Sequence, residues 1–410
     1  MSGPAMMNNG ANAPVQAIIG AGHGLSHFYM LALPPLFPLM QAELGLSYAA
    51  LGLLVTLLNI ATGCLQVVAG IVADRYGAKY LLMAGLALMG IAIAAIGAVD
   101  AYWAMAVLML LAGVGNSVFH PANYVILNAA VDPARLGRAF SIHTFTGNLG
   151  FAAAPPVILV LASAFGWRGA LFAAGALSLA AIAVILRFGD RLRDDAALSR
   201  PSTASPAQNA PVRHWRAMTS TAVLAMFGFF VAIGMASAGM QAFLVAALVA
   251  FHGLDLGASN GVLFGMLVAT ALGVLGGGFL ADRTIRHSSI VGYALVLTAL
   301  TAGSAGTVAL PVAILFAMFV TIGALQGAIR PSRDLLVRSI APKSAIGTVF
   351  AFVSTGLNVG SAIAPALFGV LLDFGEPRSI FVALAMFYLL GAATIMASRR
   401  RAPNPASIAA

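Results

Sequence analysis

The sequence predicts an all-α membrane protein with twelve transmembrane helices in two six-helix pseudo-repeats. Three observations predict it. Of 410 residues, 61% are hydrophobic and 8% are charged, against about 25% charged in a typical soluble domain. Twelve apolar segments, each of about 20 residues or more, are long enough to cross a bilayer. The second six repeat the first at a nearly constant offset.

A mean hydropathy of +0.97 leaves too little polar surface for a soluble enzyme or a disordered chain. The apolar runs are long and continuous, whereas β-barrel strands would be short and alternating. The net charge of +9, from 21 basic and 12 acidic residues, would suggest nucleic acid for a soluble chain. In a membrane chain basic residues mark cytoplasmic loops, so no nucleic-acid partner is expected. The single cysteine, Cys64, excludes a disulfide or a cysteine-ligated metal within one chain. Residues 1–16 carry no Lys or Arg. The first apolar stretch is therefore expected to stay as a span and not to be cleaved as a signal.

The expected spans fall near 17–40, 48–73, 80–99, 102–131, 137–163 and 168–188, then 218–250, 258–281, 289–309, 312–337, 345–371 and 379–398. Placing both termini in the cytoplasm puts 17 of the 21 basic residues in loops on that side, among them Arg75, Lys79, Arg135, Arg283 and Arg338. The opposite loops hold Arg168 and Arg378 with Glu43, Asp100, Asp255, Asp373 and Glu376. This is the positive-inside pattern. Residues 189–217 are polar and rich in Pro, Ser, Asp and Arg, and read as a flexible cytoplasmic linker. The linker divides the chain into an N-terminal half, 1–188, and a C-terminal half, 218–410.

An offset of 210 aligns His120-Pro121 with Arg330-Pro331, Asn116 with Gln326, Asn148 with Asn358, and Gly150 with Gly360. An offset of 208 aligns Gly70, Asp74 and Arg75 with Gly278, Asp282 and Arg283. Two parallel six-span halves with a site between them near mid-membrane form a known transporter architecture.

Two motifs carry a resemblance. The run Gly70-Ile-Val-Ala-Asp74-Arg75-Tyr-Gly77-Ala-Lys79 closes the second span, and Gly278, Asp282 and Arg283 repeat part of it. It resembles the signature loop of the major facilitator superfamily, which implies the major facilitator fold and a conformational role for these residues. The run Gly113-Val-Gly115-Asn-Ser-Val-Phe119-His120-Pro121, with Leu25-Ser26-His27, resembles the fosmidomycin-resistance branch of that family. The fifth-span step reads Ala154-Pro155 where the antiporter motif has Gly-Pro. The resemblance implies a monomeric transporter in a bacterial inner membrane, without cofactor, exporting a small anion by proton antiport. It also implies that spans one, four, seven and ten line the cavity. Uptake or exchange of a small organic acid is the alternative, followed by transport of a divalent metal or metal chelate.

Ionisable groups inside spans are costly and tend to be functional. Here they are mostly basic or imidazole. An arginine in low dielectric needs an anion or several acceptors, and its fork suits carboxylate or phosphonate. His27, His120 and Arg330 are therefore expected to bind an anionic substrate, with Tyr29, Asn116, Gln326, Asn148 and Asn358 as further cavity groups. Histidine changes charge near neutral pH, so His27 and His120, with Asp334, are the candidates for proton coupling. Asp334 stands four residues from both Arg330 and Arg338 and can pair with either on a helix. His23 and His143 are expected to face neighbouring helices. His23, His27 and His120 would also make a three-imidazole metal set. No carboxylate or thiolate accompanies them at that depth and Arg330 would repel a cation, so no metal site is expected. No G-x-S-x-G or H-E-x-x-H run occurs, so no enzyme is expected.

Overall fold

A computed structural model describes residues 12–131, 135–189, 192, 218–341 and 346–400. Every regular element among them is a helix. In chain order these are α1 (Asn12–Met30), a 3-10 turn (Pro34–Leu36), α2 (Phe37–Leu44), α3 (Tyr48–Tyr76), α4 (Ala78–Ile96), α5 (Tyr102–Asn116), α6 (Phe119–Ala130), α7 (Leu136–Phe188), α8 (Thr221–His252), α9 (Leu256–Asp282), α10 (His287–Ala305), α11 (Val312–Ile340), α12 (Ile346–Asp373) and α13 (Arg378–Arg400). Apart from Gly189 and Leu192, the linker expected over 189–217 lies outside the described residues.

Ten helical stretches are long and apolar enough to cross a membrane. Three elements differ from the simple run of expected spans, each for a local reason. The segment 17–40 is not one helix: it stops at Met30, and Pro34 and Pro35 open a separate short turn. Proline has no N–H to donate and biases the preceding residue away from helix. The span expected over 102–131 is broken between Asn116 and Phe119, with the Ser117 hydroxyl donating to the Val114 carbonyl at 2.7 Å. Pro121 follows that break and removes one further backbone donor. Conversely α7 runs 53 residues, about 80 Å at 1.5 Å per residue, more than twice the bilayer core. Gly166, at φ 70° and ψ 169°, interrupts it in a conformation that only glycine adopts freely, giving two arms over the fifth and sixth expected spans.

The helices form two compact units. One holds the chain up to Leu33 together with Ile60 through α7; the other holds Pro34–Asn59 together with α8–α13. The division therefore passes through the middle of α3. In the first unit α1 packs on α7 through glycines: a Cβ at Gly150 would collide with the Gly24 backbone. In the second, α8 packs on α12 in the same way, and a Cβ at Gly360 would collide with the backbone from Val231 to Met235. Gly24 and Gly234 are themselves 210 apart, as are Gly150 and Gly360. One close helix approach is thus built twice. Small residues bring membrane helices into this contact, because lipid supplies no hydrophobic drive to hold them.

The start of α3 belongs to the second unit, where Asp373, at the end of α12, caps it. The N–H groups of Tyr48 and Ala49 donate to its two carboxylate oxygens at 2.8 and 2.7 Å. A carboxylate there satisfies free N–H groups and opposes the positive end of the helix dipole. Large apolar side chains such as Val160, Leu179, Phe279 and Tyr293 stand exposed around the helices, as a surface in contact with lipid requires.

Candidate functional site

The ionisable groups inside the helices gather in two places, one in each unit. In the first unit the break between α5 and α6 leaves His120 on the first turn of α6. His23 and His27 lie one turn apart on α1, and His143 lies near the start of α7. His23 stacks on His143, ring centroids 3.7 Å apart and 17° from parallel, and meets His27 at 4.4 Å and His120 at 5.2 Å. Donor nitrogens of His23, His27 and His120 lie within 4.8 Å of one another. His23 and His143 are buried, whereas His27 and His120 are half-buried.

Gly147 makes room for this cluster. A Cβ there would sit 2.6 Å from Cε1 of His23 and 3.1 Å from Cε1 of His27. The backbone also orients a ring: Nδ1 of His23 is 2.8 Å from the carbonyl oxygen of His143. A carbonyl only accepts, so Nδ1 carries the hydrogen and Nε2 is left to offer its lone pair. Among the described residues Nε2 of His23 has no hydrogen-bond partner.

In the second unit the matching position, Arg330, lies on α11, which runs through Pro331 without a break. Arg330 interacts electrostatically with Arg333, Asp334 and Tyr388. Asp334 forms an ion pair with its neighbour Arg333, Nη2 to Oδ1 at 2.9 Å, and also acts electrostatically on Arg330 four residues away, as helical spacing had suggested. The Arg333 guanidinium also stacks over the Phe230 ring of α8 at 4.6 Å, a cation–π contact. Arg338 is exposed near the helix end. Two guanidiniums thus share one carboxylate.

The secondary candidates divide. The Asn116 amide donates to Thr62 Oγ1 at 3.1 Å, and Ser237 donates to Gln326 Oε1 at 3.3 Å. The aligned residues thus meet different helices, α3 in one unit and α8 in the other. Tyr29 is 1% exposed and its hydroxyl donates to the Ala174 carbonyl at 3.0 Å, which ties α1 to α7. The Asn148 amide donates to Thr144 of its own helix at 2.9 Å. Asn358 is exposed on α12.

Two residues outside the expected substrate site carry chemistry. His143, expected only to face a neighbouring helix, completes the imidazole cluster by stacking on His23. Tyr388, on α13, is fully buried and its hydroxyl has no hydrogen-bond partner among the described residues, while it feels the charge of Arg330. Both depend on contacts between distant segments.

The signature loop acts at helix ends. α3 stops at Tyr76, Gly77 turns the chain at φ 92°, and α4 begins at Ala78. Gly70 faces Pro121, where an added Cβ would rest 3.6 Å from the Pro121 Cβ. The Lys79 ammonium lies beside Gly189, just past α7, and complements the negative end of that helix. In the second copy α9 ends at Asp282, with Arg283 at its C-cap.

The sequence matches the Major Facilitator Superfamily over residues 19–310 and 232–410. It is 24% identical over 386 residues to the fosmidomycin resistance protein of Escherichia coli, covering 92% of this chain and 91% of that protein. It is 27% identical over 361 residues to the probable sulfoacetate transporter of Cupriavidus necator, covering 82% and 81%. The fold matches an inward-facing, unoccupied bacterial homolog of the human lysosomal transporter Spinster, with a TM-score of 0.79, 15% identity, and coverage of 96% and 98%. With its all-helical architecture, its duplicated glycine contacts and its signature loop, this chain belongs to the major facilitator superfamily: it is a multi-pass membrane transporter and not an enzyme.

Proposed function

We propose that the chain exports a small organic anion across a bacterial inner membrane, by proton antiport and alternating access, with both termini in the cytoplasm. One observation carries the anion: α11 places Arg330 and Arg333 within one turn of Asp334, two cations to one anion inside a span. The surplus positive charge inside a span is costly unless an anion answers it. A guanidinium fork can hold a carboxylate, phosphonate or sulfonate through two parallel hydrogen bonds. The names of the two relatives support the same class, since fosmidomycin is a phosphonate and sulfoacetate carries a sulfonate and a carboxylate. Arg330 is the ligand group in this reading and Tyr388 adds a hydroxyl donor. His27, His120 and Asp334 are the groups that exchange the coupling proton. The halves 1–188 and 218–410 act as the two transport domains, and the residues Gly70 to Lys79 and Gly278 to Arg283 control the change between states.

The test is counterflow into proteoliposomes, with labelled sulfoacetate and fosmidomycin as probes and a neutral hexose as control. The expected result is accumulation of at least one anion, none of the hexose, and loss of accumulation in Arg330→Ala. A proton gradient should drive net anion flux in the direction opposite to proton flow, and reversing the gradient should reverse the flux. Hexose transport undiminished in Arg330→Ala would overturn the reading, and anion flux indifferent to pH gradients would remove the antiport step.

A further inference from the structure

We infer that the imidazole cluster of the first unit binds a first-row divalent metal ion, Zn²⁺ being the simplest probe, through His23, His27 and His120. Four observations meet at this place. Three donor nitrogens from α1 and α6 lie within 4.8 Å of one another. Tetrahedral zinc, with bonds of about 2.0 Å, holds its ligand nitrogens roughly 3.3 Å apart. The half-buried rings of His27 and His120 close the difference by side-chain rotation. The second observation is an oriented ligand. The His143 carbonyl accepts from Nδ1–H of His23 at 2.8 Å, which fixes the tautomer and leaves Nε2 as the donor atom. This is the outer-shell arrangement that metal-bound histidines use.

The third observation is a shaped recess: Gly147 leaves space that any side chain would fill with atoms against His23 and His27. The fourth is access. His23 and its stacking partner His143 are buried, but His27 and His120 are half-buried, so an ion can reach the rings from one side. Histidine nitrogen suits Zn²⁺, Cu²⁺, Ni²⁺ and Co²⁺, and does not suit Mg²⁺ or Ca²⁺, which take oxygen ligands. Three neutral imidazoles leave the ion its full double charge, and water or an exogenous anion takes the fourth position; ion and coupling proton then compete for His27 and His120, since a ligating nitrogen carries no proton. The sequence argument against a metal rested on the lack of a carboxylate or thiolate and on repulsion by Arg330; three imidazoles need neither acid nor thiolate to hold a borderline-soft ion, and all three lie within the first unit.

The experiment uses the full chain, purified in detergent through a tag without histidines and stripped with chelator. Zn²⁺ binding is followed by calorimetry and by metal retained after desalting, and the coordination by visible absorption of the Co²⁺ form. The expected result is one equivalent of Zn²⁺, a Co²⁺ spectrum of the intense tetrahedral type, and affinity lowered at least tenfold in His27→Gln and in His120→Gln. His287→Gln, which alters a histidine outside the cluster, should bind as the wild type does. Cu²⁺ bound to the unaltered protein should show nitrogen superhyperfine splitting in its electron paramagnetic resonance spectrum, a readout that needs no variant. No retained Zn²⁺, or a Cu²⁺ spectrum without nitrogen coupling, would overturn the inference. So would equal affinity in the doubly substituted His27→Gln, His120→Gln chain. None of these readouts depends on transport, so failure here is separable from failure of the anion reading.

Discussion

The two units place different chemistry on one scaffold. At the common offset of 210, His23, His27, His120 and His143 correspond to Ile233, Ser237, Arg330 and Val353. The close glycine contact between α1 and α7 recurs between α8 and α12, so the helix approach beneath both sets is shared. In the first unit that frame carries four imidazoles and no carboxylate. In the second it carries a guanidinium beside an Arg–Asp pair and a buried tyrosine. The fold therefore demands neither set. Polar groups in lipid-buried helices are expensive, and groups that packing does not require point to ligands, a different one in each unit.

The comparison breaks most visibly at the glycines. Gly150→Val and Gly360→Val should each cost about 3 kcal/mol or more, because the new atoms meet backbone that cannot yield. Thermal unfolding of the purified protein checks this, and equal losses would show that one packing rule serves both units. Next in size is the divergence of ligand groups. Arg330→Ala should abolish anion counterflow, while Arg330→Lys keeps a part of it, since an ammonium retains the charge and loses the two-pronged fit.

A smaller effect separates the recesses. Gly147→Ala should weaken Zn²⁺ binding by about 10- to 100-fold, the usual cost of disturbing a ligand's outer shell. Its counterpart Leu357→Ala should leave Zn²⁺ binding unchanged. Calorimetry on both variants measures the difference. The smallest effect is expected at Asp334. Its side chain is 44% exposed, so Asp334→Asn should lower stability by only about 0.5 kcal/mol, as for other solvent-screened pairs. Its larger consequence should fall on transport: with a coupling group neutralised, the pH gradient should drive less anion flux in proteoliposomes.

Much of the fold was legible because lipid imposes a simple rule: spans must be long, apolar and helical. The signature loop at Gly70 to Lys79 and the pairing of His120 with Arg330 were equally plain, as both are written in contiguous residues or a fixed offset. What escaped was local backbone choice. Pro121 follows a break in one unit and Pro331 sits in an intact helix in the other, although both read as His-Pro or Arg-Pro within an apolar run. Ser117 stands in the break, where the second unit has Gly327 inside intact helix. Burial partners escaped too. Tyr29 reads as a cavity residue, yet its hydroxyl is spent on Ala174, 145 positions along the chain. His143 is expected to face a neighbouring helix and it does, but nothing in the run around it names His23 as its partner. Both outcomes depend on which faces of α1 and α7 meet, and glycine spacing along two distant helices decides that.

The central claim is that charge at Arg330 selects the substrate. Calorimetric titration of the purified protein with sulfoacetate, fosmidomycin and a neutral hexose, repeated on Arg330→Ala and on Arg330→Lys, tests it most directly. The account predicts binding of an anion by the wild type, weaker binding by the lysine variant, none by the alanine variant, and no binding of the hexose. An alanine variant that binds the anion as tightly as the wild type would contradict it.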